Sequence, residues 1–188
     1  MSTSSPIRVY SEITPNPASL KFIVNKLLIN GSVDFPSKES AINSPFAKEL
    51  YNFSFVKGVF FASNFVTITK IEDTTWEEIQ PVLRDFIKGA VESEIPVQLD
   101  NFIAATGDFE GTEIEQKIQQ ILQDYVQPAV EQDGGAIAYK SFQNGIVTVE
   151  LRGSCSGCPS STLTLKSGIE ALLKRMIPEV TEVVSEAL

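Results

Sequence analysis

The sequence contains no histidine, and this absence removes several classes of function. Histidine is the usual general base at neutral pH and the commonest nitrogen ligand of metals in proteins. A Cys–His catalytic pair is excluded with it. We therefore expect no catalytic residues in this chain and a function other than enzymatic turnover.

Long apolar runs and a surplus of positive charge are also missing. No run approaches the roughly 20 apolar residues that cross a bilayer, so we expect no membrane association. The net charge of −9, without a basic stripe, argues against nucleic-acid binding. Met1 to Tyr10 holds one arginine and no apolar stretch of the kind found in signal peptides. From this we expect a cytoplasmic protein.

Cysteine is scarce, and the two that occur stand two residues apart, at Cys155 and Cys158. Thiols stay reduced inside cells, so this pair indicates metal binding or thiol chemistry sooner than a structural disulfide. An alternating strand, Gly145–Leu151, precedes the pair, and an amphipathic helix follows it, with Pro159 suited to its first turn. The sulfurs are therefore predicted in a strand-to-helix turn, where the helix N-terminus favours thiolate.

Three chemistries fit this Cys-x-x-Cys turn. An iron–sulfur cluster wants four thiolates, a structural zinc ion wants four ligands, and thioredoxin-like proteins use such a pair for dithiol–disulfide exchange. Both metal sites need a second chain or an outside thiol, which a homodimer would supply by symmetry. The surrounding glycines and serines disfavour two inert buried cysteines and predict a loop near the surface. These residues favour an iron–sulfur cluster over a zinc ion, and dithiol–disulfide exchange ranks third.

The charge distribution predicts two domains joined by a linker. Residues 1–90 carry equal numbers of basic and acidic side chains, whereas residues 91–112 carry acidic side chains only. Charges of one sign repel each other and keep a segment extended. We predict an acidic linker at 91–112 between a domain at 8–90 and a domain at 113–188.

Turn signals and periodicity predict an α/β fold of the α+β kind, with two small domains. The N-terminal domain is predicted as a mixed sheet with helices. Its predicted elements are a strand at Leu20–Leu28, a helix capped at Asn43-Ser44-Pro45 and running through Tyr51, a hairpin of Lys57–Ala62 and Phe65–Ile71 around Ser63-Asn64, and a helix from a Thr75–Glu78 capping box through Ala90.

The C-terminal domain is predicted in the order α-β-β-α. The predicted features are a helix at about Glu113–Val126 with Ile114, Ile118, Ile121, Leu122 and Tyr125 inward, a turn at Asp133-Gly134-Gly135, a hairpin at Asn144-Gly145, a final helix with Leu165, Ile169, Leu172 and Met176 on one face, and a short strand at Val180–Val184. Pro128 is expected to end or bend the first helix.

Nearly the whole chain resembles one family of proteins. In the C-terminal domain the shared residues are Val126, Pro128, Gln132-Asp133-Gly134-Gly135, Asn144-Gly145-Ile146-Val147, Gly153-Ser154-Cys155-Ser156-Gly157-Cys158-Pro159-Ser160-Ser161, Thr164-Leu165-Lys166, Gly168-Ile169-Glu170 and Ile177-Pro178-Glu179-Val180. In the N-terminal domain they are Thr14-Pro15-Asn16-Pro17, Ser19-Leu20-Lys21-Phe22, Ser44-Pro45, Phe60-Phe61, Asn64-Phe65, Thr67-Ile68-Thr69-Lys70 and Trp76. This set is similar to the Nfu and NifU-like iron–sulfur cluster scaffolds and carriers. Ala136 departs from it, because the family often has aspartate there.

The resemblance implies a function for the cysteine pair. Cys155 and Cys158 would be the cluster-binding and metal-binding residues, and those of two protomers would hold one [4Fe–4S] cluster in a homodimer. The partners would be iron–sulfur donor proteins and apo iron–sulfur acceptor proteins, with the N-terminal domain making such contacts. The alternative function is a Cys-x-x-Cys thiol–disulfide oxidoreductase.

Overall fold

The chain forms two compact units, Met1–Ala104 and Ala105–Leu188. The computed structural model describes residues 5–98, 111–156 and 159–187. Residues 99–110, which belong to the predicted acidic linker, lie outside this description, as does Cys158. The boundaries at 8–90, 91–112 and 113–188 therefore stay a prediction.

The first unit is a five-stranded sheet with helices. Its elements are β1 (Val9–Ile13), β2 (Ser19–Val24), β3 (Ser32–Phe35), a 3-10 turn (Ser40–Asn43), α1 (Pro45–Leu50), β4 (Val56–Ala62), β5 (Phe65–Lys70) and α2 (Trp76–Glu92). The strands lie in the order β1-β2-β5-β4-β3, and each neighbouring pair is antiparallel. This sheet is thus antiparallel and not of mixed direction, which corrects one detail of the expected fold.

Local sequence signals explain how most of these elements begin and turn. The Ser44 hydroxyl accepts a hydrogen bond from the Ala47 N–H at 3.1 Å, so Ser44 caps α1 as predicted. The β4–β5 hairpin turns at Ser63, whose φ of 45° lies in the left-handed region. The Thr75–Glu78 capping box does not form, because the Thr75 hydroxyl donates to the Glu78 carboxylate at 3.0 Å and caps no backbone group.

Both helices of the first unit pack on one face of its sheet. The buried core joins residues of β2, β4 and β5 to residues of α1 and α2. Its aromatic rings include Phe46, whose centroid lies 5.2 Å from that of Phe61. The chain beyond α2 stays attached, because the Phe46 N–H donates to the Pro96 carbonyl at 3.2 Å and Val97 is buried.

The second unit packs helices on a three-stranded sheet. Its elements are α3 (Glu113–Ile121), a π-helical turn (Leu122–Val126), α4 (Gln127–Gln132), β6 (Gly135–Gln143), β7 (Ile146–Gly153), α5 (Pro159–Met176) and β8 (Glu182–Ala187). Strands β6 and β7 are antiparallel, and β8 lies parallel to β7. The predicted fold class, with helices and sheets mixed in two small units, is confirmed.

Two apolar residues predicted to face inward lie on the surface of this unit. Tyr125 is exposed because it lies in the π-helical turn, where the extra residue rotates the helix face. Pro128, which lacks an N–H, follows that turn in α4, so the helix is interrupted and not ended. Met176 is exposed because α5 presents Leu173 to the core, and Ile177, just after the helix, is buried there as well.

None of the helices in the described ranges is both long and apolar enough to cross a membrane.

Candidate functional site

The candidate site is the connection between β7 and α5. Strand β7 ends at Gly153 and α5 begins at Pro159, which places Cys155 in a strand-to-helix turn as predicted. Its predicted partner in the motif, Cys158, lies outside the described residues. The site geometry therefore comes from Cys155 and the residues around it.

Cys155 lies inside the second unit and not on its surface. Its side chain is 6% exposed and belongs to the core cluster formed by α3, α4, β7 and α5. The prediction that Cys155 lies in a loop near the surface is therefore wrong. Glycine and serine in the loop sequence indicate a flexible surface, but the fold turns this sulfur inward.

The turn between α4 and β6 holds the cysteine loop in place. The Ser154 N–H donates to the Gly134 carbonyl at 3.3 Å, and the Ser154 hydroxyl donates to the Asp133 carbonyl. That same hydroxyl lies 3.9 Å from the Cys155 sulfur. The segment Asp133–Gly135, predicted only as a turn, is therefore the immediate neighbour of the cysteine.

Gly135 makes the closest approach of this turn to Cys155. A Cβ atom at position 135 would lie 2.8 Å from Cys155 Sγ, 3.3 Å from Cys155 Cβ and 2.6 Å from the Arg152 carbonyl oxygen. Side chains do not tolerate contacts that short, so only glycine fits here. The first pair of the β6–β7 ladder, Gly135 with Gly153, sets this approach.

The loop also closes on itself just after β7. The Ser156 N–H and the Ser156 hydroxyl both donate to the Gly153 carbonyl, at 3.1 Å and 3.0 Å. These bonds replace the ladder bonds that end with the strand. The backbone around Cys155 is therefore fixed from both sides, by the Asp133–Gly135 turn and by Gly153.

Charged side chains on the two strands that lead to the loop form ion pairs with one another. Glu150, buried on β7, forms ion pairs with Lys140 and with Arg152, the latter at 2.5 Å. Burial raises the pKa of the Glu150 carboxyl, but the hydrogen bonds and charges of Lys140 and Arg152 outweigh it and hold that pKa below its usual value. The Arg152 guanidinium is therefore ion-paired with a carboxylate of its own strand.

A second polar contact fixes α3 to the sheet, and the sequence analysis missed it. Thr112 and Glu115 form a capping box at the start of α3, and Glu115 also accepts a hydrogen bond from the Tyr139 hydroxyl at 2.8 Å. These contacts lower the pKa of Glu115, with the Thr112 N–H as the largest cause. The sequence signal for this capping box was the Thr-x-x-Glu pattern formed by Thr112 and Glu115.

No metal site is complete within the described residues, where no three His, Cys, Asp or Glu side chains are grouped to hold an ion. The full sequence has only two cysteines, so a four-thiolate site needs ligands from outside one chain. Two further residues of the site, Gly135 and Ser154, were named only as part of the family resemblance and not as neighbours of the sulfur. Ser154 adjoins Cys155 in the sequence, whereas Gly135 reaches it only through the folded sheet.

Comparison with known proteins places both units in one family. The family described as scaffold protein Nfu/NifU N terminal matches residues 9–94, and the NifU-like domain matches residues 118–184. The chain is 40% identical over 185 residues to "NifU-like protein 4, mitochondrial" of Arabidopsis thaliana, covering 95% of this chain and 65% of that protein. It is 39% identical over 181 residues to "NFU1 iron-sulfur cluster scaffold homolog, mitochondrial" of Homo sapiens, covering 93% and 71%.

A solved structure also matches, although more distantly. It is a solution NMR structure of a NifU-like protein from Saccharomyces cerevisiae, with a TM-score of 0.45, 18% identity, and coverage of 54% of this chain and 92% of that chain. The chain spans less than two thirds of the Arabidopsis thaliana relative, at 65% of its length.

The expected cytoplasmic location is wrong. The relatives from Arabidopsis thaliana and Homo sapiens are named as mitochondrial proteins, which points to mitochondria instead. The prediction rested on the lack of an apolar stretch in Met1–Tyr10, and such a stretch marks secretory signal peptides and not the segments that direct proteins to mitochondria.

Proposed function

Because the chain belongs to the Nfu/NifU family of scaffold proteins, we propose that it carries iron–sulfur clusters to apo proteins. Its cargo is a [4Fe–4S] cluster, held between two protomers by Cys155 and Cys158 of each. The observation that carries the proposal is the position of Cys155 between β7 and the start of α5, within the segment that matches the NifU-like domain.

The ligand count supports a shared cluster. A [4Fe–4S] cluster takes four thiolates, and each chain has two cysteines. Two chains related by a two-fold axis place the same two sulfurs on either side of one cluster. The N-terminal end of α5 adds a partial positive charge that favours thiolate.

Transfer then proceeds by ligand exchange. Thiolates of the acceptor replace those of Cys155 and Cys158 at the iron atoms, and the displaced thiolates stay on the carrier. No electrons move, and each iron keeps its number of ligands. The function is therefore delivery without turnover of a substrate, and the partners are donors that load the carrier and apo proteins that accept from it.

The first unit has the role of partner recognition in this proposal. It has neither cysteine nor histidine, so it offers no thiolate or imidazole ligand to a cluster. The segments proposed for the whole chain are a recognition domain at 8–90, a linker at 91–112 and a cluster-binding domain at 113–188. Limited proteolysis tests them, and cleavage between 98 and 112 is the expected result, because Val91 and Val97 are buried in the first unit.

Reconstitution tests the cargo. The full chain is incubated with iron and sulfide without oxygen, passed over a size-exclusion column, and assayed for iron and sulfide. We expect a brown dimer with about four iron and four sulfide per pair of chains. Two iron and two sulfide per pair of chains would mean that the cluster is [2Fe–2S] and not the proposed [4Fe–4S]. A colourless monomer would contradict the proposal.

Substitution of either cysteine tests the ligands. Cys155→Ser and Cys158→Ser each leave two thiolates per dimer, and we expect both to lose stable cluster binding. Ser167→Ala is the matched control, because Ser167 is exposed on α5 and its hydroxyl bonds only the helix backbone, at Leu163. Full iron content in either cysteine variant would remove that residue from the ligand set.

Dithiol exchange is the competing function, and it also requires the buried Cys155 to become accessible. Exchange needs a thiolate that reaches the attacking or attacked sulfur, whereas this side chain is 6% exposed. A reductase assay on the cluster-free monomer decides between the two, with no activity expected.

A further inference from the structure

The position of Cys155 raises a question that the proposed function does not answer. A cluster shared by two chains lies between them, yet in the described structure the Cys155 side chain belongs to the core of its own unit. The sulfur of this residue has to be outside that core when it binds iron. Contacts within the cluster-free chain must therefore hold the Cys155 side chain inward and release it when the cluster is loaded.

We propose that the Asp133–Gly135 turn is a seat that stores the Cys155 thiol, and that Gly135 is the positioning residue of the candidate site. The role of this seat in cluster loading rests on the proposed function, whereas the contacts that form the seat do not depend on it. In the cluster-free chain the thiol occupies the space that a side chain at position 135 would fill. Loading requires Cys155 to leave this seat and turn outward.

The space beside Gly135 is the first observation. A methyl group at position 135 would meet the Cys155 sulfur at 2.8 Å and Cys155 Cβ at 3.3 Å. The third neighbour is the Arg152 carbonyl at 2.6 Å, which belongs to a paired strand and has little freedom to move. Rotation of the Cys155 side chain outward removes the contact with its sulfur, whereas the contact with the Arg152 carbonyl requires a small shift of the strand backbone.

The hydrogen bonds of Ser154 are the second observation. Both its N–H and its hydroxyl donate to carbonyls of the turn, at Gly134 and Asp133. Ser154 is itself buried, at 2% exposure, so water does not replace these bonds. They fix the residue next to Cys155 and thereby keep the thiol directed at Gly135.

A single-thiol variant tests the storage directly. With Cys158→Ser, Cys155 is the only cysteine of the chain, and its reaction with iodoacetamide is followed by mass spectrometry in buffer and in urea. A stored thiol reacts only when the loop opens, so we expect a rate in buffer at least about tenfold below the rate in urea. Equal rates would overturn the proposal.

Gly135→Ala in this background tests the positioning residue. The overpacked methyl group should favour the outward thiol and raise the alkylation rate about tenfold. Gly168→Ala is the matched control, because a Cβ atom there meets nothing within 4 Å, and its rate should not change. Circular dichroism verifies the fold of each variant. An unchanged rate in a folded Gly135→Ala chain would contradict the seat.

Ser154→Ala keeps the proposal testable if Gly135→Ala does not fold. It removes one of the two bonds to the turn, and we expect a smaller rise in the alkylation rate, of about threefold to tenfold. No rise in a folded Ser154→Ala chain would equally overturn the proposal.

The same variants with both cysteines present separate this inference from the proposed function. Iron loading is followed by absorbance, and the Ser154→Ala chain should load faster than the parent chain. If no chain loads iron but the alkylation rates differ as expected, the cluster proposal fails and the thiol seat stands. If all chains load and the alkylation rates do not differ, the seat fails and the carrier stands.

Discussion

The two units bury different kinds of side chain. The core of the first contains the rings of Phe22, Phe35, Phe46 and Phe61, all buried. In the core cluster described for the second unit, the buried members are aliphatic apart from Cys155. One unit is thus built around aromatic rings, and the other around branched side chains with one sulfur at the edge of its sheet.

This difference agrees with the roles proposed above for the two units. Aromatic pairs prefer defined geometries, and Phe61 meets Phe35 and Phe46 with centroids 6.2 Å and 5.2 Å away. Such a core suits a rigid surface for recognition. Cys155 is small and packs beside a glycine, so its departure removes little apolar contact. In the proposed function, the second unit would therefore keep its core when Cys155 turns outward.

The largest expected effect comes from breaking the aromatic core. Phe61→Ala removes a fully buried ring, and such changes cost about 3 to 5 kcal/mol of unfolding free energy. Trp76, the only tryptophan, lies in α2 and donates to the Pro17 carbonyl at 2.9 Å, so its fluorescence reports the first unit. Urea unfolding followed by fluorescence should shift strongly toward lower urea.

The control for this change is Leu27→Ala, at a side chain that is 60% exposed. It should leave the fluorescence midpoint nearly unchanged. The part of the circular dichroism change that no fluorescence change accompanies reports the second unit and should be the same in both variants. If Phe61→Ala lowered both transitions equally, the two cores would not be independent.

The second prediction concerns the buried carboxylate of the second unit. Glu150→Gln removes a charge that is paired with Lys140 and Arg152, and hydrogen bonds between charged groups contribute about 1.5 to 3 kcal/mol. At neutral pH the variant should unfold earlier in the circular dichroism transition. The fluorescence of Trp76 should not change.

The pH dependence follows from the lowered pKa of Glu150. A carboxyl whose pKa is lower in the folded chain stabilises that chain above its unfolded pKa, and this stability is lost as the pH falls through the folded value. The parent chain and Glu150→Gln should therefore converge below a pH of about 4.5, the ordinary pKa of this group. Glu179→Gln, at an exposed position, is the control. A constant difference down to pH 3 would contradict this role.

A third, smaller effect distinguishes two replacements of Cys155. If the thiol is buried, Cys155→Ser places a hydroxyl among apolar side chains, whereas Cys155→Ala leaves only a small cavity. We expect the serine variant to be less stable than the alanine variant by about 1 kcal/mol. Urea unfolding followed by circular dichroism measures it. If the serine variant were the more stable one, the side chain at position 155 would be in contact with water and not buried.

Local signals in the sequence predicted the elements, and close contacts between distant residues decided the rest. The hairpin at Asn144-Gly145 is correct because both residues have positive φ, 52° and 83°, as that turn requires. The predicted capping box at Thr75–Glu78 does not form, while Thr112–Glu115 forms one. The same pattern occurs at both places, so the difference comes from the surrounding structure.

The candidate site shows the same limit. The motif alone placed Cys155 between a strand and a helix. Its burial depends on the Gly135–Gly153 pair of the β6–β7 ladder, which joins residues far apart in the chain. Glycine and serine around a cysteine indicate an accessible loop only when no other segment approaches it. Here Gly135 approaches closely enough to cover the sulfur.

The smallest expected effect is the same substitution made once in each unit. Gly89 in α2 and Gly168 in α5 both lie in helices, and a Cβ atom at either would meet nothing within 4 Å. Alanine at such a position stabilises a helix by about 0.5 to 1 kcal/mol, because glycine loses more backbone entropy on folding. Gly89→Ala should raise only the urea midpoint measured by fluorescence. Gly168→Ala should raise only the midpoint of the circular dichroism change that no fluorescence change accompanies. A gain that appeared in both transitions for either variant would mean that the two units unfold as one, and the contrast between a rigid aromatic core and a releasable sulfur would then need another explanation.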